Sequence, residues 1–206
     1  MIDTHATSRM VLRIHHRIAR SRVGRLCDVR AVRRVVSPLF EMESADVVSV
    51  LDALEAEGVM CWLAGGWGAD ALFGRQTRRH VDLDVVVLDE PVQVERAGRA
   101  LATVGLRWIG QRPPSVLMPR RMMFADTAGR SVDVLPIDRH RPPFDGGAPH
   151  DSPFARGRIA GRSVGCLSAR VQLQVHQGFP LSAAADADVT ALRRHLERVG
   201  TSERES

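Results

Sequence analysis

The stretch WLAGGWGADALFGRQTRRHVDLDVVV, Trp62 to Val87, decides how the chain is read. An apolar run from Val59 to Ala64 predicts a buried strand that ends at Gly65-Gly66. Trp67 to Phe73 then fits a short helix stopped by Gly74, Arg75 to His80 a polar, basic loop, and Val81 to Leu88 a second strand with alternating acids. Side chains two apart on a strand share a face, about 7 Å apart along the chain. Asp82 and Asp84 therefore project together, and two carboxylates so placed repel each other unless a cation lies between them. Hard divalent ions, Mg²⁺ above all, suit such oxygen ligands and commonly bind substrate phosphates as well. Glycines at a strand-to-helix junction let backbone N–H groups approach phosphate oxygens, and the helix N-terminus favours negative charge. Arg75, Arg78, Arg79 and His80 follow as donors that could face the same phosphates. A lone Gly-Gly is weak; Gly-Gly, a short helix, a basic loop and then acid-Leu-acid is far more specific. The competing bland reading of Asp82 and Asp84 is a solvated edge strand.

Outward from this stretch, Ser44 with Val47, Val48, Val50, Leu51 and Leu54, closed by Gly58, predicts a capped amphipathic helix. Pro91 to Gly105 predicts another, and Leu106 to Ile109 a strand. Arg121 to Asp126 and Arg130 to Leu135 flank Thr127-Ala128-Gly129 as a hairpin. Asp133 on its second arm is the candidate third carboxylate of a two-metal site, with Asp126 and Asp138 as nearby alternatives. Residues 138 to 157 hold Pro142, Pro143, Pro149 and Pro153 and predict an irregular connection or lid. Arg158 to Cys166 reads as a small hairpin turning at Gly161, Ser168 as the cap of a helix to Gln177, and Asp186 to Val199 as the last helix. That order predicts an α+β fold with a mixed sheet, flanking helices and a small helical C-terminal part.

The net charge of +5 suggests nucleic acid until it is located. Residues 1–41 carry nine arginines against three acids, a net of +6, leaving twenty arginines against twenty-one acids, a net of −1, over residues 42–206. The basic footprint is confined to the leader, expected to be a disordered N-terminal extension, so a nucleic-acid partner is not expected. No apolar run of about 18 residues and no signal-peptide h-region occurs, and Cys27, Cys61 and Cys166 form no CxxC pair. The expected location is cytoplasmic.

Leu63 to Val87 resembles the aminoglycoside and lincosamide nucleotidyltransferases of the polymerase-beta-like superfamily, in which a strand-ending glycine motif precedes two aspartates on the next strand and a third acid further on. GRIAGRSVGCLSARVQLQVHQGF, Gly157 to Phe179, is similar to the family's C-terminal segment, with Gln172 and His176 on one helix, and Asp188-Val189 to its later Asp-Val. The likeness covers residues 44–198; Gly66 stands where many superfamily members have Ser, and the proline-rich segment has no match. The resemblance implies metal ligation by Asp82, Asp84 and Asp133, with Asp133 also a possible general base, Gly65 and Gly66 against the nucleotide phosphates, and Arg78 and His80 near the triphosphate. It implies two Mg²⁺ ions, ATP or another NTP as donor, and a small-molecule hydroxyl as acceptor, an aminoglycoside or lincosamide. It also implies a nucleotidyltransferase catalytic lobe over residues 42–140, with a lid and helical acceptor-side part over 141–206. Two readings stay open beside it: a toxin-like enzyme acting on a protein or RNA hydroxyl, and a non-catalytic nucleotide-binding domain. Asp70 reads as an organiser of the basic loop, and Trp62 and Trp67 as packing residues.

Overall fold

Helix α1, Ser44–Ala56, shows how local sequence sets the frame: its buried Val47, Val50, Leu51 and Leu54 fall on one stripe. It opens one residue earlier than a Ser44 cap would place it. Glu43 is the N-cap, and Asp46 in the first turn accepts a 3.0 Å hydrogen bond from the Glu43 backbone N–H, an acid that also complements the helix dipole. The computed structural model describes residues 41–113, 120–138, 152–177 and 183–202; the leader through residue 40 and the stretch 139–151, with Pro142, Pro143 and Pro149, lie outside the described residues.

Strand β1, Cys61–Ala64, runs directly into helix α2, Gly65–Phe73, so the paired glycines form the first helical turn instead of preceding it. Gly74, at φ 69°, ends α2 in the left-handed conformation. After the loop come β2, Leu83–Leu88, and helix α3, Pro91–Thr103, with its proline in the first turn. Strands β3, Arg107–Arg112, β4, Arg121–Ala125, and β5, Ser131–Ile137, follow. Asp126 builds the β4–β5 turn: its carboxylate accepts from the backbone N–H of Ala128 and of Arg130, each at 2.9 Å, and from Arg130 Nε at 2.6 Å. Strand β6, Phe154–Ile159, begins four residues before the expected Arg158, because Phe154 pairs opposite Leu167 and stacks on Trp62. Strand β7 is Arg162–Leu167. Ser168 caps α4, Ala169–Gln177, through a 3.4 Å bond from the Val171 N–H, and α5 is Ala183–Ser202. No helix among the described residues is long and apolar enough to cross a membrane.

The seven strands form one mixed sheet in the order β3-β4-β5-β2-β1-β7-β6. β2 runs parallel to β5 and antiparallel to β1, and β1 runs parallel to β7. Alternation divides the sheet cleanly. Leu63, Leu83, Val85, Val87, Val132 and Val134 face the main core with α1 and α3. Ala64, Val86, Leu135, Ile137 and Leu167 face the other side, where Val171 of α4 and the partly buried Trp62 and Phe154 join them. A third cluster of Ala69, Ala169 and Leu192 ties α2 to α4 and α5.

Where α2 crosses β6 there is no room for a side chain at Gly157, because a Cβ there would lie 2.4 Å from the Ala71 carbonyl oxygen. Gly157→Ala must move the helix that carries the glycine pair, and a loss of about 1–3 kcal/mol in urea denaturation is expected. An unchanged midpoint would contradict this packing. Burial pushes the Cys166 thiol up to about 12. It pushes Cys61 up to about 11, Arg162 opposing the shift and Glu55 adding to it. At pH 8 both thiols are then mostly protonated, and Cys166 is also buried from reagents. Peptide mapping after iodoacetamide treatment is expected to find Cys166 unmodified in the native protein and alkylated in urea; modification of native Cys166 would contradict the burial.

Candidate active site

The parallel register of β2 with β5 pairs Asp84 with Asp133, and the antiparallel register of β1 with β2 pairs Ala64 with Asp84. Asp82, just before β2, has the same parity as Asp84. One oxygen from each of Asp82, Asp84 and Asp133 lies within 4.8 Å of the others. The two acids read on one strand and the third read on the hairpin thus converge in a single cluster. Asp133 is 1% exposed, while Asp82 and Asp84 are partly open. Unit charges about 5 Å apart at an effective dielectric of about 20 repel by about 3 kcal/mol per pair, so the cluster calls for positive charge. An all-carboxylate oxygen set at this spacing fits a hard divalent ion. Asp126 is occupied in its turn and Asp138 is exposed, and neither belongs to the cluster.

One basic group here was missed in the sequence. Arg121 Nη1 donates to Asp133 Oδ2 at 3.0 Å, and its Nη2 lies 3.9 Å from Asp84 Oδ1. Burial disfavours its charge, but the carboxylates of Asp84, Asp133 and Asp82 and the bond to Asp133 outweigh that and raise its pKa above the ordinary arginine value. The β4–β5 register brings it there: Met123 pairs with Asp133, so Arg121, two residues along β4, shares its sheet face.

The glycines have specific neighbours. Gly65 is at φ 60°, and a Cβ on it would stand 2.3 Å from Asp84 Oδ2; a Cβ on Gly66 would stand 2.3 Å from His80 Nδ1 and 2.7 Å from Arg78 Nη2. The first turn of α2 therefore sits directly against the acids and the basic loop, its amides at the edge of the cluster.

His80 and Arg78 are both anchored by carboxylates. His80 Nε2 donates to Asp70 Oδ2 at 2.5 Å, with the pair buried, and the Trp67 ring lies against the imidazole at 4.7 Å between centroids. Asp70 Oδ1 accepts from the Thr77 N–H at 3.0 Å and the Thr77 hydroxyl at 2.5 Å. Asp70 thus organises the loop as expected, through Thr77 and His80. Arg78 grips Asp188 of α5 with two bonds, Nε to Oδ1 at 3.0 Å and Nη2 to Oδ2 at 2.6 Å, and Nη1 donates to the Arg79 carbonyl at 2.9 Å. Burial opposes the Arg78 charge, but the Asp188 bond and the nearby Asp188, Asp70 and Asp82 carboxylates raise its pKa. Gln172 is buried with Nε2 3.4 Å from the Leu167 carbonyl oxygen, and the side chain of His176 lies outside the described residues.

On the same sheet face as Asp84, Trp62 stacks on Phe154 at 4.1 Å and 19°. Beside this pair is an open cleft of about 450 Å³, walled also by Met60 and Arg156 and floored by Gly165.

Comparison with known proteins adds to this geometry. The profile of the family described as aminoglycoside-2''-adenylyltransferase matches residues 46–192. A lincosamide resistance protein of Staphylococcus haemolyticus is 27% identical over 155 residues, covering 70% of this chain and 90% of the relative. The crystal structure of the lincosamide antibiotic adenylyltransferase LnuA with lincomycin bound superimposes with a TM-score of 0.60 at 25% identity, covering 74% of this chain and 98% of that one. The structure of ANT(2")-Ia with adenylyl-2"-tobramycin, at 19% identity and a TM-score of 0.57, covers 77% of this chain and 92% of its own, and shares the fold.

The buried Asp70–His80 pair generates a stability test. Asp70→Ala strands the imidazole and frees Thr77, and a loss of about 3 kcal/mol in urea denaturation is expected. A change smaller than about 0.5 kcal/mol, the range of ordinary surface substitutions, would contradict the anchoring role.

Proposed function

Since the chain belongs to the aminoglycoside-2''-adenylyltransferase family and is a nucleotidyltransferase, we propose that it transfers AMP from ATP to a hydroxyl of a small-molecule antibiotic of the aminoglycoside or lincosamide kind. The observation that carries the chemistry is the convergence of Asp82, Asp84 and Asp133 within 4.8 Å, beside the first turn of α2. In this reading those three carboxylates hold Mg²⁺, two ions when ATP is bound. Bound there, Mg²⁺ would offset the triphosphate's charge and make the acceptor hydroxyl easier to deprotonate.

The chain's own residues supply position and a proton acceptor. Amide N–H groups at Gly65 and Gly66 face the phosphates, with the basic loop of Arg78 and His80 shaping that side. Asp133, the most buried of the three acids, takes the proton of the acceptor hydroxyl. The freed oxygen forms a bond to the α-phosphorus, the bond from that phosphorus to its bridging oxygen breaks, and pyrophosphate leaves. In this reading the catalytic lobe spans residues 42–140 and the helical acceptor-side part lies within 141–206. The Trp62–Phe154 cleft, on the same face as the acids, offers apolar surface for a bound small molecule. With ATP as donor, the reaction is expected to take place in the cytoplasm. The acceptor class is supported by the lincosamide resistance relative and by the lincomycin-bound adenylyltransferase.

Purified protein with Mg²⁺, labelled ATP and a panel of aminoglycosides and lincosamides is expected to yield labelled antibiotic and pyrophosphate. Asp82→Asn, Asp84→Asn and Asp133→Asn are each expected to lower kcat by about a thousandfold or more with the fold retained by circular dichroism. Absence of both transfer and pyrophosphate release across the panel would overturn the proposal.

A further inference from the structure

We propose that Arg121 is a built-in counter-cation of the Asp82–Asp84–Asp133 cluster, holding the three carboxylates together before a divalent ion arrives and setting how tightly they bind it. This rests on the proposed metal ligation by the same acids. Arg121 projects from β4 into the cluster, 19% exposed, with one prong bonded to Asp133 Oδ2 and the other directed at Asp84 Oδ1. These oxygens belong to two of the three carboxylates that converge within 4.8 Å. An ion coordinated there competes with the guanidinium for Asp133 Oδ2 and must also accept a fixed positive charge beside it. Guanidinium and metal therefore compete, with opposite consequences for the two states of the protein.

Without metal, Arg121 offsets the mutual repulsion of the acids; with metal, it weakens the site. The competition has a use for an enzyme that binds a metal–nucleotide complex. Carboxylates already compensated hold free divalent ions loosely, and they bind tightly only when a triphosphate adds its own charge to the site. Arg121 keeps its charge throughout, so its positive charge stays beside the site whether or not a metal is bound.

The test uses Mn²⁺ as the probe, with no nucleotide present. Isothermal titration of wild type and Arg121→Gln measures the Mn²⁺ Kd, and thermal unfolding is followed in EDTA and in saturating Mn²⁺. The variant is expected to bind Mn²⁺ about 5- to 150-fold more tightly, the usual range for coupling between two sites. It is also expected to melt lower than wild type in EDTA and to gain more on addition of Mn²⁺. If Arg121→Gln is unfolded in EDTA, Mn²⁺ is expected to restore its circular dichroism, and a chain that stays unfolded in saturating Mn²⁺ contradicts the proposal. Equal or weaker Mn²⁺ binding by the folded variant removes the proposal and leaves the metal site standing. No Mn²⁺ uptake by either protein removes the metal site and the proposal together.

Discussion

The parallel pairing of β2 with β5 is the constraint on which the rest of the molecule depends. That one register sets Leu83 beside Val132, Val85 beside Val134 and Val87 beside Pro136 on the core face, and Asp84 beside Asp133 on the other. Apolar burial against α1 and α3 fixes the register, since a slip of one residue would turn every side chain to the opposite face. The carboxylates are brought together against their own repulsion by hydrophobic contacts that do not touch them. Arg121, carried on the next strand, enters from the edge at which that repulsion can be offset.

Around this pairing the chain ties distant segments to the basic loop. Asp70 of α2 holds Thr77 and His80, and Asp188 of α5 holds Arg78, a contact spanning 110 residues of sequence. Both anchors are buried carboxylates, so the loop between Gly74 and Asp82 is positioned by α2 on one side and by the last helix on the other. Only glycine fits at position 66, because His80 and Arg78 sit where these anchors put them. The glycine pair, the loop and α5 therefore form one mechanical unit facing the acids.

Features governed by local periodicity were legible in the sequence. Asp82 and Asp84 share a face because strands alternate, and the Asp126 turn and the α1 and α3 stripes follow from short-range patterns. The hairpin reading offered Asp133 with Asp126 and Asp138 as alternatives, the likeness to known nucleotidyltransferases favoured Asp133, and the register sets it beside Asp84. Features that depend on pairing across the chain were not legible. Arg121 enters the cluster only once the β4–β5 register is known, and Arg78 finds Asp188 only when α5 packs on α4 and α2. β6 starts at Phe154 because of a stacking partner on β1, and a glycine reading based on phosphate alone could not show that Gly65 makes room for Asp84.

The most direct measurement is anomalous diffraction from crystals soaked in Mn²⁺ together with a non-hydrolysable ATP analogue. An anomalous peak bounded by carboxylate oxygens of Asp82, Asp84 and Asp133 at about 2.1 Å, with the analogue's phosphates completing its coordination, is the expected result. Nucleotide bound with no peak among these three side chains, or a peak elsewhere, would contradict their role as the metal ligands of the transfer reaction.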